Sequence, residues 1–148
     1  MTEPARTLLA CAAALLDQGQ TVDRLSRSLT AAALIGLLIH PVAIGPPPWE
    51  LAGVAILMAL AGLVEVYFAI RVGFDAALFH RVANAPGAPD FADTDQALAH
   101  LRLLPATKLG RPVDARIAGA RRLLRFQVLA LLVQVLAVVG GGVALMWR

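Results

Sequence analysis

The sequence predicts an all-α integral membrane protein: three transmembrane helices, a hairpin plus a long C-terminal helix, with a small helical cytoplasmic segment. Three observations carry this. Hydrophobic residues make up 59% of the 148-residue chain and charged residues 16%, against about 45–50% and about 25% in soluble domains. Mean hydropathy is +0.73. The apolar residues are gathered into three runs, and most arginines flank those runs rather than interrupt them. Such a chain cannot bury its apolar surface in one aqueous core, so the bilayer is part of its solvent.

Residues 1–24 read as an amphipathic, interfacial segment. Within it, Pro4 suits the first turn of a helix over 4–17, with Leu8, Leu9, Ala12, Leu15 and Leu16 on one face. That helix is shorter than the ~20 residues a bilayer requires, so it is expected on the membrane surface or against other helices. Gly19 is expected to break the chain. Cys11 is the lone cysteine and excludes an intrachain disulfide. It lies too close to Arg6 for a lipoprotein signal and reads as a small apolar helix residue.

The hairpin occupies 25–73, with spans at about 25–44 and 49–71. Arg24 and Arg27 open the first span, and His40-Pro41 lies near its far end, where proline kinks or ends a helix. Gly45-Pro-Pro-Pro48 forms a rigid, uncharged turn. Trp49 and Glu50 open the second span, whose 22 residues to Ile70 cover about 33 Å. Its helix is expected to continue past Arg71 to about Ala83.

The cytoplasmic segment, 74–122, is broken at Asn84–Pro89 and again at Thr107–Pro112. Asp93-Thr-Asp-Gln96 has the spacing of a capping box, and Ala97, Leu98, Leu101 and Leu104 form a short apolar stripe before Pro105. Pro112 is placed to begin a last helix that runs to Trp147, with Val113, Ile117, Ala120 and Leu124 on one face. Its residues 123–148 are the third span.

Charge sets the orientation. Arg6, Arg24 and Arg27 precede the first span, and 71–125 holds nine basic residues, whereas the GPPP turn holds none. The positive-inside rule therefore puts the N-terminus and 74–122 in the cytoplasm and the C-terminus outside, as three spans require. Arg24, Arg27, Arg71, Arg121, Arg122 and Arg125 are expected to anchor in anionic lipid head groups on the cytoplasmic side. The net charge of +3 is spent on this flanking, and no nucleic-acid motif accompanies it, so nucleic acid is not an expected partner.

Glu65 is the sharpest candidate for chemistry. With Arg71 as the interface marker it lies about 9 Å deep, and six residues of helix turn it away from Arg71, which instead faces Asp75 at i+4. If Arg125 marks the same interface, Gln127 and Gln134 lie about 3 and 13.5 Å deep on a shared face. An intramembrane polar seam of Glu65, Gln127 and Gln134 follows, with Ala31, Ala32 and Ala33 at that level on the first span. The acid is expected either to fix helix register through hydrogen bonds or to handle an ion.

Other constellations are thin. His80 and His100 fall on different helices, and Asp90 and Asp93 give two acids with the spacing of a magnesium-motif fragment; no metal or cofactor is expected. Ser26 and Ser28 lack a glycine elbow. Gly140–Gly142 sits in an apolar run without a lysine and reads as a helix contact or bend, like the small pairs Ala55/Ala59, Ala69/Gly73 and Gly140/Ala144. The expected role is therefore non-enzymatic: an accessory or structural subunit of a bacterial inner-membrane complex, acting on another membrane protein or on itself through helix contacts. The alternatives are a homo-oligomeric transport or ion-conducting subunit using Glu65, and a membrane-lipid-modifying enzyme. An alanine-, leucine- and arginine-rich composition points to a bacterial source.

Overall fold

The structure is a computed structural model and describes residues 3–86, 91–103, 105, 107 and 109–147. These residues form helices and connections with no strand: α1 (Glu3–Asp17), α2 (Gly19–Ala43), α3 (Trp49–Ala83), α4 (Ala92–His100) and α5 (Val113–Met146). Three helices are long and apolar enough to cross a membrane: α1 and α2 as one 40-residue run from Pro4 to Ala43, α3, and α5. Pro89, Asp90, Leu104 and Lys108 (one of the nine basic residues of 71–125), which entered the sequence argument, lie outside the described residues.

Prolines set the helix starts, because their fixed φ suits the residue before or at the first turn. Pro48 and Pro112 both occupy the extended cap position, at ψ 147° and 151°, so α3 begins at Trp49 and α5 at Val113. Pro41 lies inside the last turn of α2, which ends two residues later at Ala43. Here His40 supports the exit. Its Nδ1 lies 2.8 Å from the Gly45 carbonyl, while its own carbonyl accepts from the Ile44 and Gly45 N–H groups. Gly45 takes a φ of 120° that a side chain would resist.

The expected break at Gly19 is corrected. Only Gln18 leaves the helix, with φ −62° and ψ −22°, and Gly19 is already the first residue of α2. Gln18 keeps near-helical angles, so α1 runs on into α2 with little change of direction. Together they lie antiparallel along α3: Asp17 meets His80 at 2.8 Å, Gly19 faces Val72, and Thr30 faces Gly62. α5 runs back along α3, with Phe126 against Phe68 and Gly141 against Val54.

Apolar packing is concentrated at one end. Leu9, Ala12, Ala13 and Leu16 of α1 are buried on Val72, Ala76, Phe79, Val82 and Ala83 of α3, with Phe91 and Ala120 completing the cluster. Val113, Ile117 and Leu124 pack on it from α5. The buried stripe of α1 is the i, i+3, i+4, i+7 set starting at Leu9. Leu8, Leu15 and Cys11, expected to be apolar packing residues, are exposed on its outer flank. Towards the other end the outer surface is apolar, including Leu34, Leu38, Leu60, Leu63, Leu132 and Leu136, and exposed Trp49 and Trp147 close it.

The capping box expected at Asp93–Gln96 does not form. Phe91 takes the cap position without a side-chain cap, and Asp93 stands in the first turn. Asp95 instead turns inward: its Oδ2 accepts from Arg116 at 2.6 Å and from the Gly110 N–H at 2.9 Å, while Arg116 lies 4.5 Å over the Phe91 ring. Of the described residues of the expected apolar stripe, Leu98 is buried and Ala97 and Leu101 are exposed. The Asp95–Arg116 pair thus fixes α4 to the start of α5. Asp95→Ala leaves Arg116 without its carboxylate, and amide exchange over 92–100 is expected to accelerate at least ~10-fold while that of α3 is unchanged.

Asp75 is half-buried beyond the second apolar run. Burial holds its carboxyl above the usual range, with Arg71 and Arg116 acting in the opposite sense. The folded chain therefore binds this proton more tightly than the unfolded chain, and the Asp75 contribution to stability falls as pH rises above about 4. Asp75→Asn is expected to remove that slope. Its unfolding temperature should match the parent in acid and exceed it at neutral pH.

Candidate functional site

Among the described residues, five polar side chains are buried: Ser26 of α2, Glu65 of α3, Asp95 of α4, and Gln127 and Gln134 of α5. Apart from Asp95, they lie within the apolar runs, where an unsatisfied polar group is costly. Their hydrogen bonds therefore define how the helices are held.

Gln127 donates both N–H bonds of its amide across the bundle. Nε2 lies 2.7 Å from Glu65 Oε1 on α3 and 2.8 Å from the Gly19 carbonyl on α2. Two turns further along α5, Gln134 repeats the device. Its Nε2 lies 2.9 Å from Thr30 Oγ1 on α2 and 3.2 Å from the Met58 carbonyl on α3. Each glutamine is a staple joining all three long helices, with the amide orientation fixed because both acceptors need donors.

The structure brings Glu65 and Gln127 together and does not bring Gln134 to Glu65. The pairing also shifts the expected depths. Since Gln127 reaches Glu65 directly, Arg71, six residues past the acid, is level with Arg121 and not with Arg125. Arg24, Arg27, Arg71, Arg121, Arg122 and Arg125 are all exposed. Arg27 pairs with Asp23 at 2.8 Å. Arg71 and Arg122 lie over the rings of Tyr67 and Phe126, and Arg71 also acts on the Asp75 carboxyl.

Close approach comes from glycine, not from the alanines expected at 31–33, of which Ala31 and Ala32 are exposed. A Cβ at Gly62 would overlap Thr30 Oγ1 and lie 3.1 Å from Gln134 Nε2. One at Gly19 would lie 2.8 Å from Gln127 Oε1 and 3.0 Å from Val72. Both glycines exist to let a glutamine staple close. Within Gly140–Gly142 the helix runs straight through, and only Gly141 meets a neighbour, Val54. Gly73 and Ala144, from the small-residue pairs, are exposed.

Four staple-region oxygens keep an unfilled hydrogen-bond valence: Glu65 Oε2, Ser26 Oγ, Gln127 Oε1 and Gln134 Oε1. Ser26 lies beside the Glu65 carboxyl, and Asp23 and Arg27 are the charged groups within reach. Sequence reasoning missed Gly19, Ser26, Thr30, Met58 and Gly62. The legible signal was the small or polar set 19, 26 and 30, which recurs on one α2 face with near-heptad spacing. Away from this region His80 pairs with Asp17, and among the described residues no three His, Cys, Asp or Glu side chains are grouped to hold a metal.

Fold and site together define an all-helical protein whose three long apolar helices are tied by inward-facing amides and one acid, a form compatible with a multi-pass membrane protein. Comparison with family models, curated proteins and solved structures finds no match to this chain.

Proposed function

We propose that the chain is a non-catalytic structural or accessory subunit of a bacterial inner-membrane complex, working through helix–helix contacts. The observation that supports this is where its polar groups point. Gln127 and Gln134 use both amide hydrogens on the chain's own α2 and α3, leaving an apolar outer surface to meet lipid or other helices. Beyond Gln134, Gly141 of α5 meets Val54 of α3 in an apolar contact.

The arginine-rich end, with α1, α4 and the start of α5, lies in the cytoplasm in this reading. It carries the surface for a partner protein, and its arginines meet anionic head groups. Trp49 and Trp147, exposed at the opposite end, mark the outer interface. A reporter enzyme active only outside the cytoplasm should work when fused after Trp147 and fail when fused after His100. The reverse pattern would overturn the orientation.

The deciding measurement is the native mass and composition of the particle taken from the membrane in nanodiscs. A stoichiometric second protein is expected. A defined homo-oligomer would favour the transport reading, for which the unpartnered Glu65 Oε2 and Ser26 Oγ are the supporting observation. Loss of flux in Glu65→Gln with assembly intact would then establish it. A lone monomer would overturn both.

A further inference from the structure

We propose that Glu65, Ser26 and Gln127 form a proton-binding site, in which the glutamate is held as the neutral acid and its Oε2–H donates to Ser26 Oγ. The inference rests on the membrane-spanning bundle of the proposed function and on nothing about a partner.

The first support is geometric. One carboxyl oxygen, Oε1, accepts from Gln127 Nε2 at 2.7 Å. The other, Oε2, is buried without a partner, and so is the hydroxyl oxygen of Ser26 beside it. A proton on Oε2 gives the carboxyl a donor for the Ser26 hydroxyl oxygen, to which a small side-chain movement would join it. The amide then donates to the acid and the acid to the hydroxyl, with no net charge at the site.

Charge supplies the second support. The charged groups that face Glu65 are Asp23 and Arg27, both on α2. Arg27 already holds Asp23 at 2.8 Å, so its cation is not free for the buried acid. α5 contributes the neutral Gln127, and α1 ends at Asp17, which is engaged by His80. Asp23 and Arg27 form a neutral pair, so an ionised Glu65 would stand as a lone charge in a fully buried position. Buried groups in that situation give up their charge.

The proton has a way in. A cleft between α2 and α3 is lined by Gly19, Gln20, Asp23, Arg27, Ala69 and Gly73. Gly19 lends its carbonyl to Gln127, the same amide that holds Glu65, so the cleft wall is one side chain away from the acid. Hydronium in the cleft gives up its proton to the carboxylate and leaves as water. On the other side the apolar contact of Gly141 with Val54 carries no relay. In this proposal a single copy stores the proton.

Infrared spectroscopy of the full-length chain in nanodiscs tests this. The expected result is a protonated-carboxyl C=O band that Glu65→Gln abolishes and Ser26→Ala moves to higher frequency. Glu65→Gln keeps a donor and an acceptor at the site, so the bundle is retained. An apolar carbodiimide, which needs a protonated carboxyl in an apolar site, should add once to the parent chain and not to Glu65→Gln. A Glu65-dependent signal in the carboxylate region, with no carbodiimide adduct, would overturn the proposal. Alkaline extraction of membranes separates this from the membrane reading. A chain that resists extraction but carries ionised Glu65 loses the proton site alone. A chain that carries the protonated band but is released by alkali loses the membrane reading alone.

Discussion

Gly62→Val is expected to lower the stability of the folded bundle in detergent by about 3 kcal/mol. A Cβ at this position falls on Thr30 Oγ1 and within 3.1 Å of Gln134 Nε2. The threonine oxygen is the acceptor of the Gln134 staple at 2.9 Å, so it cannot swing aside without releasing the amide. Overpacking in a closed interface costs about 1–3 kcal/mol, and the lost interhelical bond adds about 0.6–1.7. Gly53 is the control. Nothing lies within 4 Å of its Cβ position, and Gly53→Ala is expected to stabilise by up to about 1 kcal/mol through helix propensity alone. Denaturant titration followed by circular dichroism reads both. Equal behaviour of the two variants would mean that α2 and α3 do not meet at Thr30.

That contact also shows what sequence could and could not reveal. The long helices were legible because their ends are chemical. Pro48 and Pro112 can only precede or begin a helix, and arginines cluster where apolar runs stop. The pairing of Glu65 with Gln127 was legible too, since few polar groups stand within the apolar runs and such groups seek one another. Depth was less legible. It was measured from Arg125, but an arginine side chain reaches several ångströms along a helix to its anchor, and the true level falls a turn away, at Arg121. This displacement separated Gln134 from Glu65.

The misreadings share a cause. Gly19 was taken as a breaker because glycine is poor in helices, whereas its missing Cβ makes room for Gln127, more than a hundred positions along the chain. Asp93–Gln96 matched a local capping pattern, yet Asp95 is claimed by Arg116, 21 positions along the chain. In both cases a tertiary partner overrode a local preference, and single-sequence patterns contain only the local half. The face of α1 was off by part of a turn for a related reason. Leu8 and Leu15 sit close enough to the buried stripe to look apolar-facing, and only the narrow contact with α3 excludes them.

Gln127→Leu, the second large effect, is expected to cost about 2 kcal/mol. It removes the donors to Glu65 Oε1 and to the Gly19 carbonyl together, each worth about 0.6–1.7 kcal/mol between helices in a membrane. Gln134→Leu should cost a similar amount through Thr30 and Met58. The informative comparison is between double mutants. Glu65→Leu with Gln127→Leu shares one hydrogen bond, so the double loss should fall short of the sum by about 1 kcal/mol. Glu65→Leu with Gln134→Leu shares no hydrogen-bond partner, and the losses should add to within about 0.5 kcal/mol. Coupling in the second pair as large as in the first would restore the single three-residue seam expected from the sequence. Additivity there, with coupling in the first pair, makes the bundle's polar interior two separate staples. Only the one nearer the arginine-rich end then carries an acid. A chain built this way holds its helices together at Gln134 whatever happens to the proton on Glu65, and can register protonation at one end without losing the bundle.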